Sequence, residues 1–221
     1  MPASPSPLRI LIADDHALIR EGTAVVIGRE PGWEVCGQAA NGRDAVAQAI
    51  ALEPDIVVLD MTMPELNGLD AAIQIRRHLP KTEVMLLSGY GSEELVHAAF
   101  KAGVKSFVLK TGAEELLLEA IRSLAQHKPF LTPTVARMLL SPVLAGNGAT
   151  HDVDPATHLS AREREVLQFT AEGKTNKEVA TALDIGVRTA ENHRASILRK
   201  LHLNSAAELV RYAIRNKMID P

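Results

Sequence analysis

One short apolar segment limits the fold of this chain more than any other stretch. Residues Ile56–Leu59 read Ile-Val-Val-Leu without polar alternation, which is the pattern of a strand buried on both faces, as in a parallel sheet. The segment ends directly on a carboxylate, Asp60, and the chain turns soon afterwards at Asn67-Gly68. Because ligands bind outside the carboxyl ends of strands in open α/β sheets, Asp60 is a candidate for chemistry as well as a candidate turn cap.

Three more apolar segments in the first half of the chain also end on polar residues. The segments are Leu8–Ala13, Val84–Leu87 and Phe107–Leu109, and they end on Asp14-Asp15, Ser88 and Lys110 respectively. If these strands lie side by side, three carboxylates, a hydroxyl and an ammonium group converge at one edge of the sheet. Three close carboxylates raise each other's pKa unless a cation lies among them, and a set of oxygen ligands suits Mg²⁺.

These strand ends resemble those of the receiver domain of two-component response regulators, over residues 8–127. The spacing Asp60-x-x-Met63-Pro64-x-x-x-Gly68 is similar to the motif of that family. The resemblance implies that Asp60 is the phosphoacceptor, and that Mg²⁺ is a cofactor. It also implies the roles of the other residues: Asp14 and Asp15 as the acidic pair, Ser88 as the switch hydroxyl, Phe107 as the switch aromatic residue, Lys110 as the supporting lysine, and Asp15, Asp60 and the Thr62 carbonyl as Mg²⁺ ligands, with Asp14 acting through water.

Strand and helix patterns alternate five times through the first half of the chain. This alternation predicts an α/β fold, a flavodoxin-like doubly wound sheet of five parallel strands. Residues 128–157 contain four prolines and a Gly146-Asn147-Gly148 centre, which predicts a linker. Within it we expect one short helix at Thr134–Leu140, followed by exposed chain over residues 141–157.

The last part of the chain, residues 158–221, predicts a small all-α domain of four helices. A capping box, Ser160-x-x-Glu163, opens the first helix, because the two side chains satisfy free N–H groups at its start. The second and third helices are joined by three residues at 184–186, and the third is rich in polar and basic side chains. This pattern favours a helix-turn-helix, while a plain helical bundle with a charged outer face is the alternative.

Charge and cysteine content bear on partners and location. Residues 158–221 hold 11 Lys and Arg against 8 Asp and Glu, whereas the rest of the chain holds 13 against 19. The basic end permits nucleic-acid binding without proving it, and the acidic remainder suits a cation site. The single cysteine, Cys36, excludes an intrachain disulfide and favours a reducing compartment, so we expect a cytoplasmic protein. No apolar run is long enough to predict a membrane span.

The end of the chain also resembles the LuxR-type DNA-binding domain. The similar segments are 159–167, 173–180, 191–194 and 197–201. Together, the two resemblances identify the chain as a member of the NarL/FixJ-type response regulators. They imply a sensor histidine kinase and promoter double-stranded DNA as partners, a homodimer when phosphorylated, and RNA polymerase as a further partner. They also imply that the recognition helix is partly covered before phosphorylation.

The expected DNA contacts fall into two groups. Residues on the outward face near the start of a recognition helix meet base edges in the major groove, and we assign Arg188, Glu191, Asn192 and Ala195 to this group. We assign Lys174, Lys177, Arg199 and Lys200 to phosphates by their charge and position.

Two other classes of function are weighed against this interpretation. A phosphohydrolase of the haloacid-dehalogenase type also uses an aspartate at a strand end, but it needs a second aspartate two residues on, where this chain has Thr62. A phosphorylation-independent DNA-binding regulator with a vestigial receiver is the other alternative, and the complete acidic set around Asp60 argues against it. We therefore predict a regulator and not an enzyme.

Overall fold

A computed structural model describes residues 6–110, 114–144, 159–216 and 218–219. These residues form two compact units, one built around a parallel sheet and the other built of helices. Much of the predicted linker, residues 145–157, lies outside the described residues.

The first unit alternates strands and helices, as the apolar segments predict. Its elements are β1 (Leu8–Ala13), α1 (Ala17–Gly28), β2 (Trp33–Ala39), α2 (Gly42–Leu52), β3 (Ile56–Asp60), α3 (Gly68–His78), β4 (Glu83–Ser88), α4 (Glu93–Lys101), β5 (Ser106–Leu109), α5 (Glu114–Leu124), β6 (Phe130–Leu131) and α6 (Pro133–Leu144). The strands pair in parallel in the order β2-β1-β3-β4-β5-β6. The first five follow the flavodoxin-like order, which confirms the predicted fold class.

The central strands carry the core of this unit. Every residue of β3 and of β4 is buried, which explains why the sequence of these strands shows no polar alternation. Alternate residues of β1, such as Ile10 and Ile12, cluster with Ile27 of α1 and with Ile121 of α5. This packing holds the strand ends in fixed positions at one edge of the sheet.

Within the described residues the sheet has six strands, so the prediction of five strands is one short. The sixth strand, β6, extends the sheet beyond β5 by pairing Phe130 with Ser106 and Leu131 with Phe107. The two residues of β6 are too few to show a strand period. The sequence pattern therefore gave no signal for this strand.

The helix α6 is longer than the predicted Thr134–Leu140 helix and packs against α4. Val135 is fully buried, His97 Nε2 lies 3.2 Å from the carbonyl oxygen of Leu139, and the hydroxyl of Ser141 donates to Glu93 Oε2 at 2.5 Å. The helix continues through Leu144. Residues 141–144, expected to be exposed irregular chain, are therefore helical.

The described part of the second unit contains the four predicted helices. They are α7 (Ala161–Ala171), α8 (Asn176–Ala182), α9 (Val187–Lys200) and α10 (Ala206–Arg215). The predicted capping box of Ser160 with Glu163 is formed, and Thr175 forms a second one with Glu178 at the start of α8. Buried apolar residues from α7, α8, α9 and α10 share one core, and this core fixes the outward face of α9.

Candidate functional site

Strand register brings the predicted polar residues together at one edge of the sheet. Ala13 pairs with Leu59, so that the next residues of the two strands, Asp14 and Asp60, are neighbours. The backbone N–H of Lys110 donates to the carbonyl of Ser88 at 2.7 Å, which places the lysine beside the end of β4. The structure therefore confirms that these strand ends meet.

The ammonium group of Lys110 joins the two buried aspartates. Lys110 Nζ lies 2.8 Å from Asp14 Oδ2 and 2.8 Å from Asp60 Oδ1. Asp14 is only 2% exposed and Asp60 only 3%, so both carboxylates have lost most of their hydration. One cation is thus shared between two buried anions, and the site has an excess of negative charge.

The electrostatics of Asp60 follow from this imbalance. Burial raises the pKa of Asp60 to about 6, and the charges of Asp14 and Asp15 add to the rise, while Lys110 opposes it. For Lys110, burial acts to lower the pKa, but the hydrogen bonds and charges of Asp14 and Asp60 outweigh it, and the pKa is raised. The lysine therefore stays charged, and Asp60 is the group whose charge is only partly compensated.

A fourth polar side chain, His16, belongs to this cluster. One ligand atom each from Asp14, Asp15, His16 and Asp60 lies within 4.8 Å of the others, so that the four residues together could hold a metal ion. Nδ1 of His16 lies 2.8 Å from Asp15 Oδ1. Sequence reasoning did not assign His16, although its place directly after Asp15 was a signal.

The turn that follows β3 explains the glycine of the Asp60 motif. A Cβ atom on Gly68 would lie 2.1 Å from the carbonyl oxygen of Asp60, so no side chain fits there. The N–H of Gly68 donates to the carbonyl of Met61 at 2.9 Å and closes the turn. Thr62 lies within this turn and is half-buried, and its role as a carbonyl ligand stays a prediction.

The two predicted switch residues lie on adjacent strands. The Ser88 hydroxyl donates to the carbonyl of Tyr90 at 2.5 Å and accepts from the N–H of Tyr90 at 3.2 Å, so it is bound to its own loop. Phe107 is fully buried, between β4 and β6. Their predicted part in a switch stays a prediction.

The second unit presents most of the predicted DNA-contacting residues to solvent. Gly186 starts α9 without a side-chain cap, as its lack of a side chain requires. Arg188 lies 3.3 Å from Glu191 in an exposed pair, and Glu191 is half-buried. The other exposed residues of the predicted set are Lys174, Lys177, Asn192, Ala195 and Arg199.

Lys200 differs from the rest of this set because it has a partner inside the domain. Lys200 Nζ lies 2.7 Å from Glu163 Oε2, and the Ser196 hydroxyl donates to Glu163 Oε1 at 2.8 Å. Burial acts to raise the pKa of Glu163, but these donors and those of Ser160 lower it to about 2. The contact of Lys200 with a DNA phosphate stays a prediction, and it competes with this internal ion pair.

A buried aspartate, an acidic pair and a lysine at the ends of parallel strands, followed by a separate helix-turn-helix unit, form the arrangement of a two-component signalling regulator. Residues 10–122 match the family model of the response regulator receiver domain, and residues 157–213 match that of the bacterial regulatory proteins of the luxR family.

Relatives with similar sequences support the same family assignment. The chain is 34% identical over 216 residues to the oxygen regulatory protein NreC of Staphylococcus carnosus, and 34% identical over 214 residues to the transcriptional regulatory protein LiaR of Bacillus subtilis. Each match covers 96% of this chain and 100% of the relative. This chain belongs to the NarL/FixJ-type response regulators, which join a receiver to a LuxR-type DNA-binding domain.

Among solved structures, a LuxR-family two-component response regulator from Aurantimonas is 29% identical with a TM-score of 0.60, and the match covers 63% of this chain and 99% of that one. RcsB of Salmonella typhimurium is 25% identical with a TM-score of 0.58, over 94% of this chain and 98% of that one. The family is one of transcription regulators. Among the described helices, none combines the length and apolar character that a bilayer span requires.

Proposed function

We propose that Asp60 is the phosphoacceptor and takes its phosphoryl group from a phosphohistidine of a sensor histidine kinase. The observation that carries this proposal is the Lys110 ammonium group, which lies 2.8 Å from both Asp14 and Asp60. A carboxylate oxygen of Asp60 forms the new bond to phosphorus, the phosphorus–nitrogen bond of the donor breaks, and the leaving imidazole takes a proton from solvent.

The residues around Asp60 suit this step. With a pKa of about 6, Asp60 is mostly ionised at neutral pH and is therefore a competent nucleophile. Lys110 supplies positive charge next to the phosphoryl oxygens, and Ser88 donates to them after it releases Tyr90. The donor set fits Mg²⁺, which Asp15, Asp60 and the Thr62 carbonyl would bind directly and Asp14 through water. When bound, the ion neutralises charge on the phosphoryl oxygens.

We propose that the second unit binds promoter double-stranded DNA through α9. Arg188, Glu191, Asn192 and Ala195 lie at or near its exposed start, from which a recognition helix meets base edges. Phosphorylation favours a homodimer that spans two half-sites about 10 base pairs apart. RNA polymerase is a further partner at the promoter, and the cytoplasm is where these partners meet.

Labelling with a phosphodonor tests the phosphoacceptor. Asp60→Asn abolishes Mg²⁺-dependent incorporation of phosphate from acetyl phosphate or a kinase, measured by intact-mass spectrometry. The matched control is Asp55→Asn, because Asp55 precedes the same strand at its opposite end and is exposed. Undiminished labelling of the Asp60 variant would exclude the assignment, and absence of labelling in the unmodified protein would favour the vestigial-receiver alternative.

Metal titration tests the acidic pair. Asp15→Ala weakens Mg²⁺ binding and slows labelling, because one carboxylate partner of the ion is gone. Isothermal titration calorimetry with Mg²⁺ measures the change, and the same Asp55→Asn protein serves as the control. A titration curve that does not move would contradict the ligand assignment.

Binding to specific and scrambled DNA tests the interface. Asn192 can pair with adenine in a bidentate manner, so that Asn192→Ala costs about 1–3 kcal/mol at a favoured site and little elsewhere. Fluorescence anisotropy on both DNAs measures the difference. An equal loss on both would remove Asn192 from the base-reading group.

A further inference from the structure

The acidic cluster holds a residue that the phosphotransfer scheme leaves without a role. His16 occupies the N-cap of α1 but makes no side-chain cap bond, although Ser, Thr, Asp and Asn are the residues that stabilise this position. Its ring turns instead toward the carboxylates. The Nδ1 atom lies 2.8 Å from Asp15 Oδ1 and 3.5 Å from Asp14 Oδ1.

The backbone fixes His16 in this place. The N–H of His16 donates to Asp14 Oδ1 at 2.9 Å, so the residue is tied to the cluster at its backbone as well as at its ring. Arg20 donates to the carbonyl oxygen of Asp14 at 2.6 Å and holds the same turn from α1. Asp15 is the most exposed of the three acids, with 29% of its side chain exposed, and its carboxylate contacts the His16 ring.

The distances fit a ligand sphere. In an octahedral site with bonds of 2.0–2.1 Å, adjacent ligand atoms are about 3 Å apart. The 2.8 Å separation of Nδ1 from Asp15 Oδ1 is close to that value. Asp14 Oδ1 is farther away, at 3.5 Å, which is in keeping with a carboxylate that acts through water, and one atom from each of the four residues lies within 4.8 Å of the others. The ring is 57% exposed, so the neutral tautomer protonated at Nε2 can point that proton to water and leave Nδ1 free to bind an ion.

We propose that His16 Nδ1 is a fourth ligand of this metal site, and that it raises the affinity for divalent ions that bind imidazole, such as Co²⁺ and Ni²⁺, above what the carboxylates alone provide. The inference rests on the proposed metal site at Asp14, Asp15 and Asp60. Its chemical basis is the preference of these ions for imidazole nitrogen, whereas Mg²⁺ prefers oxygen and gains little from it. The site then discriminates between ions as well as binding them.

Co²⁺ is the probe that tests this inference in the full-length protein. A histidine bound to Co²⁺ through Nδ1 gives a far-downfield proton NMR signal from its Nε2–H, and this signal disappears in D₂O. We expect one such signal in the unmodified protein and none in His16→Ala. We also expect the Co²⁺ affinity of His16→Ala to fall at least about tenfold, while its Mg²⁺ affinity changes less than about twofold.

Two variants separate the possible outcomes. His16→Asn keeps a side-chain N–H that can donate to Asp15 but has no ring nitrogen, so retention of full Co²⁺ affinity in this variant would reduce His16 to a hydrogen-bond donor and overturn the inference. His78→Ala is the control, because His78 is exposed in the last turn of α3 and its Nδ1 contacts the carbonyl of Gln74.

The same measurements distinguish a wrong assignment of the metal site from a wrong assignment of His16. If Asp15→Ala leaves both Co²⁺ and Mg²⁺ binding unchanged, the proposed metal site is wrong. If Asp15→Ala weakens both ions while His16→Ala weakens neither, only the role of His16 is wrong. Loss of Co²⁺ affinity and of the Nε2–H signal in His16→Ala, with Mg²⁺ affinity retained, supports the inference.

Discussion

In each unit of this protein a buried carboxylate that lies beside a lysine has a strongly shifted pKa, and the shifts have opposite directions. Asp60 lies 2.8 Å from Lys110, and its pKa is raised to about 6. Glu163 lies 2.7 Å from Lys200, and its pKa is lowered to about 2. The partner distances are nearly equal, so the difference comes from burial, which is the largest cause of the raised pKa of Asp60, and from the remaining neighbours of each carboxylate.

Those neighbours are anions at one site and hydrogen-bond donors at the other. Lys110 is shared between Asp60 and Asp14, and Asp15 adds further negative charge. Glu163 instead accepts from the backbone N–H of Ser160 and from the Ser196 hydroxyl in addition to Lys200. A satisfied carboxylate stabilises a fold, whereas an under-compensated one leaves unfavourable negative charge that a bound cation can relieve.

The largest expected effect comes from removal of the Glu163 carboxylate. Glu163→Ala lowers the free energy of unfolding of the second unit by about 2–3 kcal/mol, because Lys200 and the start of α7 lose a buried partner. Hydrogen exchange followed by mass spectrometry over α7–α10 measures the loss. Glu178→Ala is the matched control at the same position of an exposed capping box, and it should cost less. Equal losses would mean that the internal ion pair adds nothing.

Removal of the Asp60 charge from the first unit should have the opposite effect on the free energy of unfolding. Asp60→Asn raises the free energy of unfolding by about 1–2 kcal/mol at pH 8 without metal, because the uncompensated charge is removed while Lys110 keeps Asp14. The single tryptophan, Trp33, lies in β2 and reports the unfolding of this unit by fluorescence in urea. A destabilised variant would show that Asp60 is better compensated than its raised pKa indicates.

The two sites also respond to pH in different windows. The folded pKa of Asp60 is above its ordinary value of 3.8, so the protonated form stabilises the fold and this contribution is lost as the pH rises from about 4 to 6. The folded pKa of Glu163 is below its ordinary value of 4.5, so its contribution is present above that value and is lost as the pH falls toward about 2.

Unfolding curves from pH 3 to 8 measure both contributions as differences between each variant and the parent. The advantage of Asp60→Asn should grow up to about pH 6 and then level off, and the penalty of Glu163→Ala should be constant above about pH 5 and shrink below it. Parallel profiles for the two variants would refute the contrast.

The smallest expected effect concerns DNA and compares two adjacent cations. Arg199 is exposed, and Arg199→Ala should flatten the salt dependence of DNA binding by about one unit. If Lys200 keeps its bond to Glu163 on DNA, Lys200→Ala leaves the slope unchanged. If Lys200 contacts a phosphate, as its sequence position predicts, Lys200→Ala flattens the salt dependence of DNA binding as much as Arg199→Ala does. Anisotropy titrations at several salt concentrations decide between the two.

Whether a contact could be predicted from the sequence depends on how far apart its residues lie along the chain and on whether a local pattern marks them. The convergence of Asp14, Asp60, Ser88 and Lys110 was predictable because each of them ends or directly follows an apolar strand, and parallel strands bring their carboxyl ends to one edge. The Glu163–Lys200 pair was not predictable, since 37 residues separate its members. The sequence analysis interpreted Glu163 as a helix cap and Lys200 as a phosphate contact. His16 was missed because oxygen ligands alone accounted for the cluster, and β6 because two residues show no period.

The short strand β6 and the helix α6 decide where the receiver can be cut. A fragment ended at residue 127 loses the pairing of Phe130 with Ser106 and uncovers the side of α4 on which Leu139 and Ser141 lie. The unpaired edge of β5 would then be open to strands of other molecules, which is a common cause of aggregation. A soluble fragment of this unit should therefore extend at least to residue 144, well beyond residue 122, where the receiver family match ends.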